Sequence, residues 1–261
     1  MKPKLHGGAA MSRPAAPPSR EEVPVPEAHL VSLVAPTSFE AEQYRILRHA
    51  VEQRHRDSGL RTLAVTSPSG GEGKTTTSIN LGGALAQGRE ARVLLLEADL
   101  RRPAVLRQLG LHGESPGLVE AVLDAGLCLA DVIRPCPTYN LDVLPSGKPP
   151  LAPYEVLKSP RLGELFDQAR AAYDYVVVDT PPVLPCPDYR LLEKAMDGTV
   201  LVVAANRTPR DLVDAALGLL DPTRVLGLVF NGDRAPGRRY QDHYYTRPSH
   251  PRPAPWLSRR R

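Results

Sequence analysis

Six short apolar runs punctuate the chain, at residues 62–66, 92–96, 141–144, 175–178, 199–203 and 225–230. Most are β-branched or leucine-rich, and polar, Gly or Pro residues bound them. The runs are continuous rather than alternating, which suits strands buried on both faces of a parallel sheet. Between them the pattern turns helical. Residues 38–56 bring Phe39, Ile46 and Leu47 toward one face, and residues 75–87 are rich in Ala, Leu and Gly. Residues 159–172 open with Ser159 and Pro160, an N-cap followed by proline at the first helical position. Segments 188–195 and 209–220 complete the set. The alternation predicts an α/β fold, a doubly wound and mainly parallel sheet flanked by helices. Such sheets bind ligands beyond the carboxyl ends of their strands. No period of 20–50 residues points to a repeat architecture.

The ends of the chain read differently. Residues 1–36 hold seven prolines, and residues 235–261 hold five prolines, seven arginines and three tyrosines. Neither stretch carries enough apolar surface to offset its ordering entropy, so both are predicted to be disordered. The folded domain is expected at residues 37–234. The net charge of +4 suggests nucleic acid until it is mapped along the chain. Residues 37–234 carry 22 basic and 25 acidic residues, and residues 235–261 carry seven and one. The body is mildly acidic and the basic character sits in the tail, so no nucleic-acid partner is expected. Cys128, Cys136 and Cys186 lack C-x-x-C spacing and read as free thiols rather than zinc ligands. No apolar run approaches the ~18 residues of a membrane span, and no signal-peptide core is seen. A cytoplasmic protein is expected, reaching a membrane through a partner or its charge.

Three motifs carry candidate chemistry. After the first apolar run comes Ser67-Pro-Ser-Gly-Gly-Glu-Gly-Lys-Thr-Thr76, a P-loop between a predicted strand and a predicted helix. Its glycines let backbone N–H groups turn toward phosphates, and the helix N-terminus adds partial positive charge. Gly70, Gly71, Glu72, Gly73, Lys74, Thr75 and Thr76 are the candidate nucleotide-binding residues. Lys74 is expected at the β- and γ-phosphates and the Thr75 hydroxyl on Mg²⁺. Pro68 stands where the strict pattern has glycine. The second motif, Leu94-Leu-Leu-Glu-Ala-Asp-Leu-Arg-Arg-Pro103, puts Glu97 and Asp99 at the next strand tip. The third, Tyr175-Val-Val-Val-Asp-Thr-Pro-Pro182, ends an apolar strand in Asp179, a Walker B arrangement for Mg²⁺. The fold is thus read as a P-loop NTPase with deviant Walker motifs.

These motifs, with Glu42-Gln-Tyr-Arg-Ile-Leu-Arg48, Asn140-Leu-Asp-Val-Leu-Pro-Ser-Gly147 and Gly227-Leu-Val-Phe-Asn231, resemble the bacterial tyrosine autokinases of capsule and exopolysaccharide synthesis (BY-kinases). The resemblance covers roughly residues 37–234. It implies a protein-tyrosine kinase that uses ATP and Mg²⁺ and phosphorylates C-terminal tyrosines in trans. By resemblance, Lys74, Glu97, Asp99 and Asp179 are catalytic, with Thr75, Asp99 and Asp179 on the metal. Either Glu97 or Asp99 is expected to accept the tyrosine proton. Asn231 sits where the wider ATPase class contacts adenine. Glu42, Arg45 and Arg48 match an E-x-x-R-x-x-R motif that assembles subunits into a ring. Tyr240, Tyr244 and Tyr245 are the expected phosphoacceptors. The split arrangement implied here expects a membrane-embedded polysaccharide co-polymerase as activator, recruiting the kinase to the inner face of the membrane.

The sequence departs from the family in two places. Glu97 replaces the usual Asp, lengthening the reach by one methylene, and the tyrosine cluster is short. Two other readings stand beside the kinase: a partner-switched ATPase of the partition or septum-site type, and a nucleotide-binding adaptor without kinase activity. The ATPases carry an extra lysine early in the P-loop, where this chain has Ser69.

Overall fold

The computed structural model of the chain describes residues 25–88, 90–112 and 115–233. Among these residues seven strands form one sheet: β1 Thr62–Thr66, β2 Val93–Glu97, β3 Arg134–Cys136, β4 Leu141–Leu144, β5 Tyr175–Asp179, β6 Gly198–Ala204 and β7 Val225–Asn231. Their order is β3-β4-β2-β5-β1-β6-β7, parallel throughout except for β3 against β4. The six predicted strands are present, each end within one residue of its expected place. β3 was not predicted, because its three residues carry Pro135 at the centre. A proline cannot donate to the ladder and is tolerated at a sheet edge, which is where β3 lies.

Among the described residues ten α-helices surround the sheet: α1 Val31–Val34, α2 Phe39–Ser58, α3 Lys74–Ala86, α4 Val105–Gln108, α5 Leu118–Leu123, α6 Leu129–Val132, α7 Pro153–Lys158, α8 Pro160–Ala172, α9 Asp188–Leu192 and α10 Arg210–Leu217. Local sequence explains several ends. Ser38 caps α2 through its hydroxyl, and Gly59, at φ 73°, closes it. Ser159 and Pro160 start α8 as predicted. The predicted 188–195 helix divides into α9 and a 3₁₀ turn, Glu193–Ala195. Two cores result. Val51, Ile79, Leu81 and Leu85 pack on one face of the sheet, and Phe166 and Tyr189 anchor the other.

The N-terminal expectation needs correction. Residues 25–36 are folded rather than disordered. Leu30 is fully buried, and the Ser32 amide donates to Asn80 Oδ1 at 2.8 Å. Leu33 lies so close to Gly83 on α3 that a Cβ there would meet its side chain at 2.5 Å. The prolines flank the apolar run of residues 30–34 instead of interrupting it, so one helical turn can dock on a small-residue groove. The folded unit therefore begins before residue 37. Residues 1–24 and the predicted tail at 235–261 lie outside the described residues.

Sheet register sets the site. Asp179 pairs with Val65 on one side and Glu97 on the other. The tips of β1, β5 and β2 thus end at one level, on neighbouring strands, with the P-loop springing from the middle of the sheet.

Candidate active site

The P-loop leaves β1 and enters α3 at Lys74. Gly71 and Gly73 adopt φ of 80° and 93°, a region side chains rarely occupy. Gly73 is constrained twice, because a Cβ there would meet Asn231 Nδ2 at 1.9 Å. Asn231 ends β7 and donates its amide to the Glu72 carbonyl at 3.0 Å. Pro68 is accommodated without distortion of the loop's anchorage: the amides of Val183 and Leu184 donate to the carbonyls of Ser67 and Pro68. Thr76 reaches Gln108 on α4, Oγ1 to Oε1 at 3.4 Å.

Four of the predicted residues converge. Lys74 Nζ lies 2.6 Å from Asp99 Oδ2, both nearly buried. Thr75 donates its hydroxyl to Asp179 Oδ2 at 2.6 Å, and Ser78 donates to Oδ1 at 3.2 Å. Burial pushes the Asp179 carboxyl up to about 7, against the pull of Lys74 and the Thr75 hydrogen bond. Burial works against the Lys74 ammonium, but Asp179 and Asp99 outweigh it and hold its pKa above the ordinary value. Two carboxylates, Asp99 and Asp179, thus share one ammonium, and the site is short of positive charge. The hydroxyl and carboxylate oxygens of Thr75, Asp99 and Asp179 are the hard donors that suit Mg²⁺. Among the described residues no group of three or more His, Cys, Asp or Glu side chains forms a metal cage. Mg²⁺ is usually held by one or two carboxylates together with phosphate oxygens and water, so the residues present fit it.

Glu97 stands apart from this cluster. Its Oε1 accepts from the amides of Ala104 and Val105, the latter at 2.7 Å, and its Oε2 lies 3.5 Å from the Ser146 amide. Burial raises its pKa, opposed by those backbone donors. Its carboxylate is thus committed to the start of α4. A contact that no motif signalled joins the same turn to the segment after β5. Arg101 donates to Asp188 from Nε at 2.7 Å and from a terminal nitrogen at 3.1 Å, and Asp188 is buried.

Glu72 also differs from a nucleotide ligand in its side chain. Its carboxylate is filled by Ser69, Ala204 and Thr208, leaving its backbone for the phosphate cradle. On α2, Glu42 and Arg45 pair with each other. Arg48 is turned inward, donating to Glu52 at 2.7 Å and to the Ala84 carbonyl at 2.8 Å. Tyr240, Tyr244 and Tyr245 lie outside the described residues.

The AAA domain family profile matches residues 60–206. Tyrosine-protein kinase YwqD of Bacillus subtilis is 34% identical over 221 residues, spanning 84% of this chain and 92% of that protein. The putative tyrosine-protein kinase EpsB of Ralstonia nicotianae is also 34% identical, but this chain spans only 30% of its length. Among solved structures, the chimerical protein CapA2B2 superposes with a TM-score of 0.72 at 30% identity, over 78% of this chain and 89% of that one. The kinase domain of the Escherichia coli tyrosine kinase ETK gives 0.75 at 26% identity, over 82% of each chain. The Pyrococcus furiosus cell division ATPase MinD gives 0.53 at 24% identity, over 65% and 71%, a likeness of fold.

Proposed function

This chain belongs to the bacterial tyrosine-protein kinases, the autokinases of capsule and exopolysaccharide synthesis, and on that premise we propose how its residues divide the work. The observation that supports the assignment most directly is the meeting of Lys74, Thr75, Asp99 and Asp179 at one sheet edge. The P-loop amides from Gly70 to Thr76 and the start of α3 hold the ATP phosphates. Lys74 exchanges its partner Asp99 for the β- and γ-phosphates. Thr75, Asp179 and Asp99 hold Mg²⁺, which when bound neutralises phosphate charge. The tyrosine oxygen attacks the γ-phosphorus, the bond to the β–γ bridging oxygen breaks, and ADP leaves with the electron pair. The tyrosine proton passes to Asp99 Oδ2, the oxygen that Lys74 leaves as it turns to phosphate, while the other oxygen would serve the metal. Tyrosine is a weak nucleophile while protonated, its pKa being about 10, so this transfer matters. Glu97 acts as a positioning residue, fixing the turn that carries Asp99 through the amides of residues 104 and 105.

Tyr240, Tyr244 and Tyr245 are the proposed acceptors, presented in trans by neighbouring subunits of a ring. Glu42 and Arg45 are the members of the α2 motif most open to a subunit contact, being only partly buried. The catalytic unit is taken as residues 25–233. No described helix is long and apolar enough to cross a membrane. Similarity to the CapA2B2 chimera supports a membrane-embedded activator as partner, recruiting the kinase to the inner membrane face. Against the partition-type ATPases, Ser69 stands where they carry lysine, and its hydroxyl donates to Glu72 at 2.7 Å. The test is to incubate the full chain with ATP, Mg²⁺ and an activator segment, then map phosphotyrosine by mass spectrometry. Phosphate on the three tail tyrosines, absent in Lys74→Met, is expected. ATP hydrolysis without phosphotyrosine would overturn the kinase assignment in favour of the ATPase.

A further inference from the structure

A carboxylate buried inside a phosphate-binding loop is unfavourable in two ways. It loses water, and it repels the anion the loop is built to receive. Glu72 is 2% exposed and sits at the centre of the P-loop. Its surroundings account for its presence. Oε1 accepts from the Ser69 hydroxyl at 2.7 Å and the Ser69 amide at 3.2 Å. Oε2 accepts from the Thr208 hydroxyl at 2.7 Å and the Ala204 amide at 3.0 Å. The Thr208 hydroxyl in turn accepts from the Ala204 amide at 3.1 Å. Ala204 ends β6, and Thr208 lies just before α10, across a turn in which Asn206 takes a φ of 58°. From the same turn, Arg207 donates to the Gly71 carbonyl. The Asn231 amide completes the set on the Glu72 carbonyl. Residues 71 and 72 of the arch are therefore tied to chain segments more than 130 residues away, and residue 69 is tied to Glu72 itself.

We infer that Glu72 is a positioning residue for nucleotide, a clasp that locks the P-loop onto the β6–α10 turn so that the phosphate cradle is formed before ATP arrives. The inference rests on the nucleotide-site part of the function above, not on phosphoryl transfer. A ligand that binds only the formed arch has an apparent dissociation constant equal to the intrinsic one divided by the competent fraction, so it rises with the fraction of molecules lacking the arch. The clasp keeps that fraction small. Its chemistry also explains why the residue is an acid. Each oxygen faces a backbone N–H, so the NH₂ of glutamine, in either orientation, meets a donor that cannot move away. The neutral isostere therefore fails where the carboxylate succeeds.

The experiment measures ADP binding by titration calorimetry on the full chain, with Glu72→Gln, Thr208→Val, Thr208→Ser and the Glu72→Gln/Thr208→Val double variant. ADP binding needs no phosphoryl transfer, so this result stands or falls apart from phosphotyrosine mapping. Glu72→Gln is expected to weaken ADP about tenfold, and Thr208→Val about threefold. Thr208→Ser, which keeps the hydroxyl, restores wild-type affinity. Because both variants open the same clasp, the double variant loses little more than Glu72→Gln alone. In autophosphorylation the KM for ATP rises more than kcat falls. Unchanged ADP affinity in Glu72→Gln, or fully additive losses in the double variant, overturns the inference. If Glu72→Gln fails to fold, Thr208→Val decides alone: unchanged affinity there, or equal losses in Thr208→Val and Thr208→Ser, overturns it.

Discussion

Replacing Asp179 by Asn should stabilise the nucleotide-free protein at alkaline pH while destroying its activity. Asp179 is fully buried, and burial raises its carboxyl from an ordinary 3.8 to about 7. The native state therefore keeps the proton longer than the unfolded chain does. That contribution is complete below pH 4 and is lost progressively as the pH rises through about 7. A gap of about three pH units corresponds to an upper bound of about 4 kcal/mol, at 1.36 kcal/mol per unit. Asn carries no charge to bury, and it can still accept from Thr75 and donate to Ser78, which lie 2.6 and 3.2 Å from the carboxylate. The shift to about 7 is already net of the attraction to Lys74; relaxation of the site around the buried charge reduces the gain further, to about 2 kcal/mol above pH 8. For a domain of this size that is a rise of about 4–8 °C in Tm. The assay is thermal unfolding of both proteins from pH 5 to 8.5, in EDTA and without nucleotide. The difference should widen in favour of Asp179→Asn as the pH rises and level off above about pH 7.5. A flat difference across the range, or a less stable variant at pH 8, would refute the reasoning. The stability cost would then not come from a charge buried for function.

Other consequences are sharper in sign than in size. Gly73→Ala should fold yet lose ADP affinity by at least about tenfold, because the new Cβ meets Asn231 Nδ2 and the φ of 93° is strained for any side chain; wild-type titration would count against it. Arg101→Leu removes both hydrogen bonds to the buried Asp188. A drop of about 1–2 kcal/mol in urea unfolding is expected, moderated because the arginine is partly exposed, and phosphotyrosine yield should fall with it. Tyr173→Phe deletes the hydroxyl that donates to Asp142 at 2.7 Å. It should lower Tm by about 2–4 °C, for a loss of about 1 kcal/mol, with autophosphorylation at the wild-type level.

The parts of the fold that were legible in the sequence are those where local pattern and tertiary role agree. Buried parallel strands need continuous apolar runs, and residues 62–66 and 175–178 supply them without ambiguity. The caps at Ser38 and Ser159 are equally local. What was missed depends on contacts between distant segments. The run at residues 30–34 reads as a break in a proline-rich tail until Gly83, some fifty residues on, opens a groove for Leu33. The P-loop and the carboxylates at 99 and 179 were legible because phosphate chemistry restricts their residue types. The duties of Glu97 and Glu72 were not. Both read as acids in a catalytic motif, yet their oxygens are committed to backbone amides at positions 104, 105 and 204. Nothing in their immediate sequence marks those amides as partners. The inward turn of Arg48 onto the α3 carbonyl of Ala84 is hidden for the same reason.

The common level of the three strand tips has a further meaning. Asp179 is in register with both Val65 and Glu97, and neighbouring strands are held about 4.8 Å apart. The spacing between phosphate loop and carboxylates is thus a lattice constant of the sheet, not an adjustable distance. Sliding a strand by one residue would turn every side chain to the opposite core, so no gradual backbone shift can tune the geometry. Variation is confined to discrete steps: a different residue at a tip, or one more methylene at a fixed point. Glu97 is such a step. Its backbone stays where the lattice puts it, and its carboxylate is anchored on the amides of residues 104 and 105. A single substitution at a strand tip can thus change what a carboxylate reaches while the backbone register stays fixed.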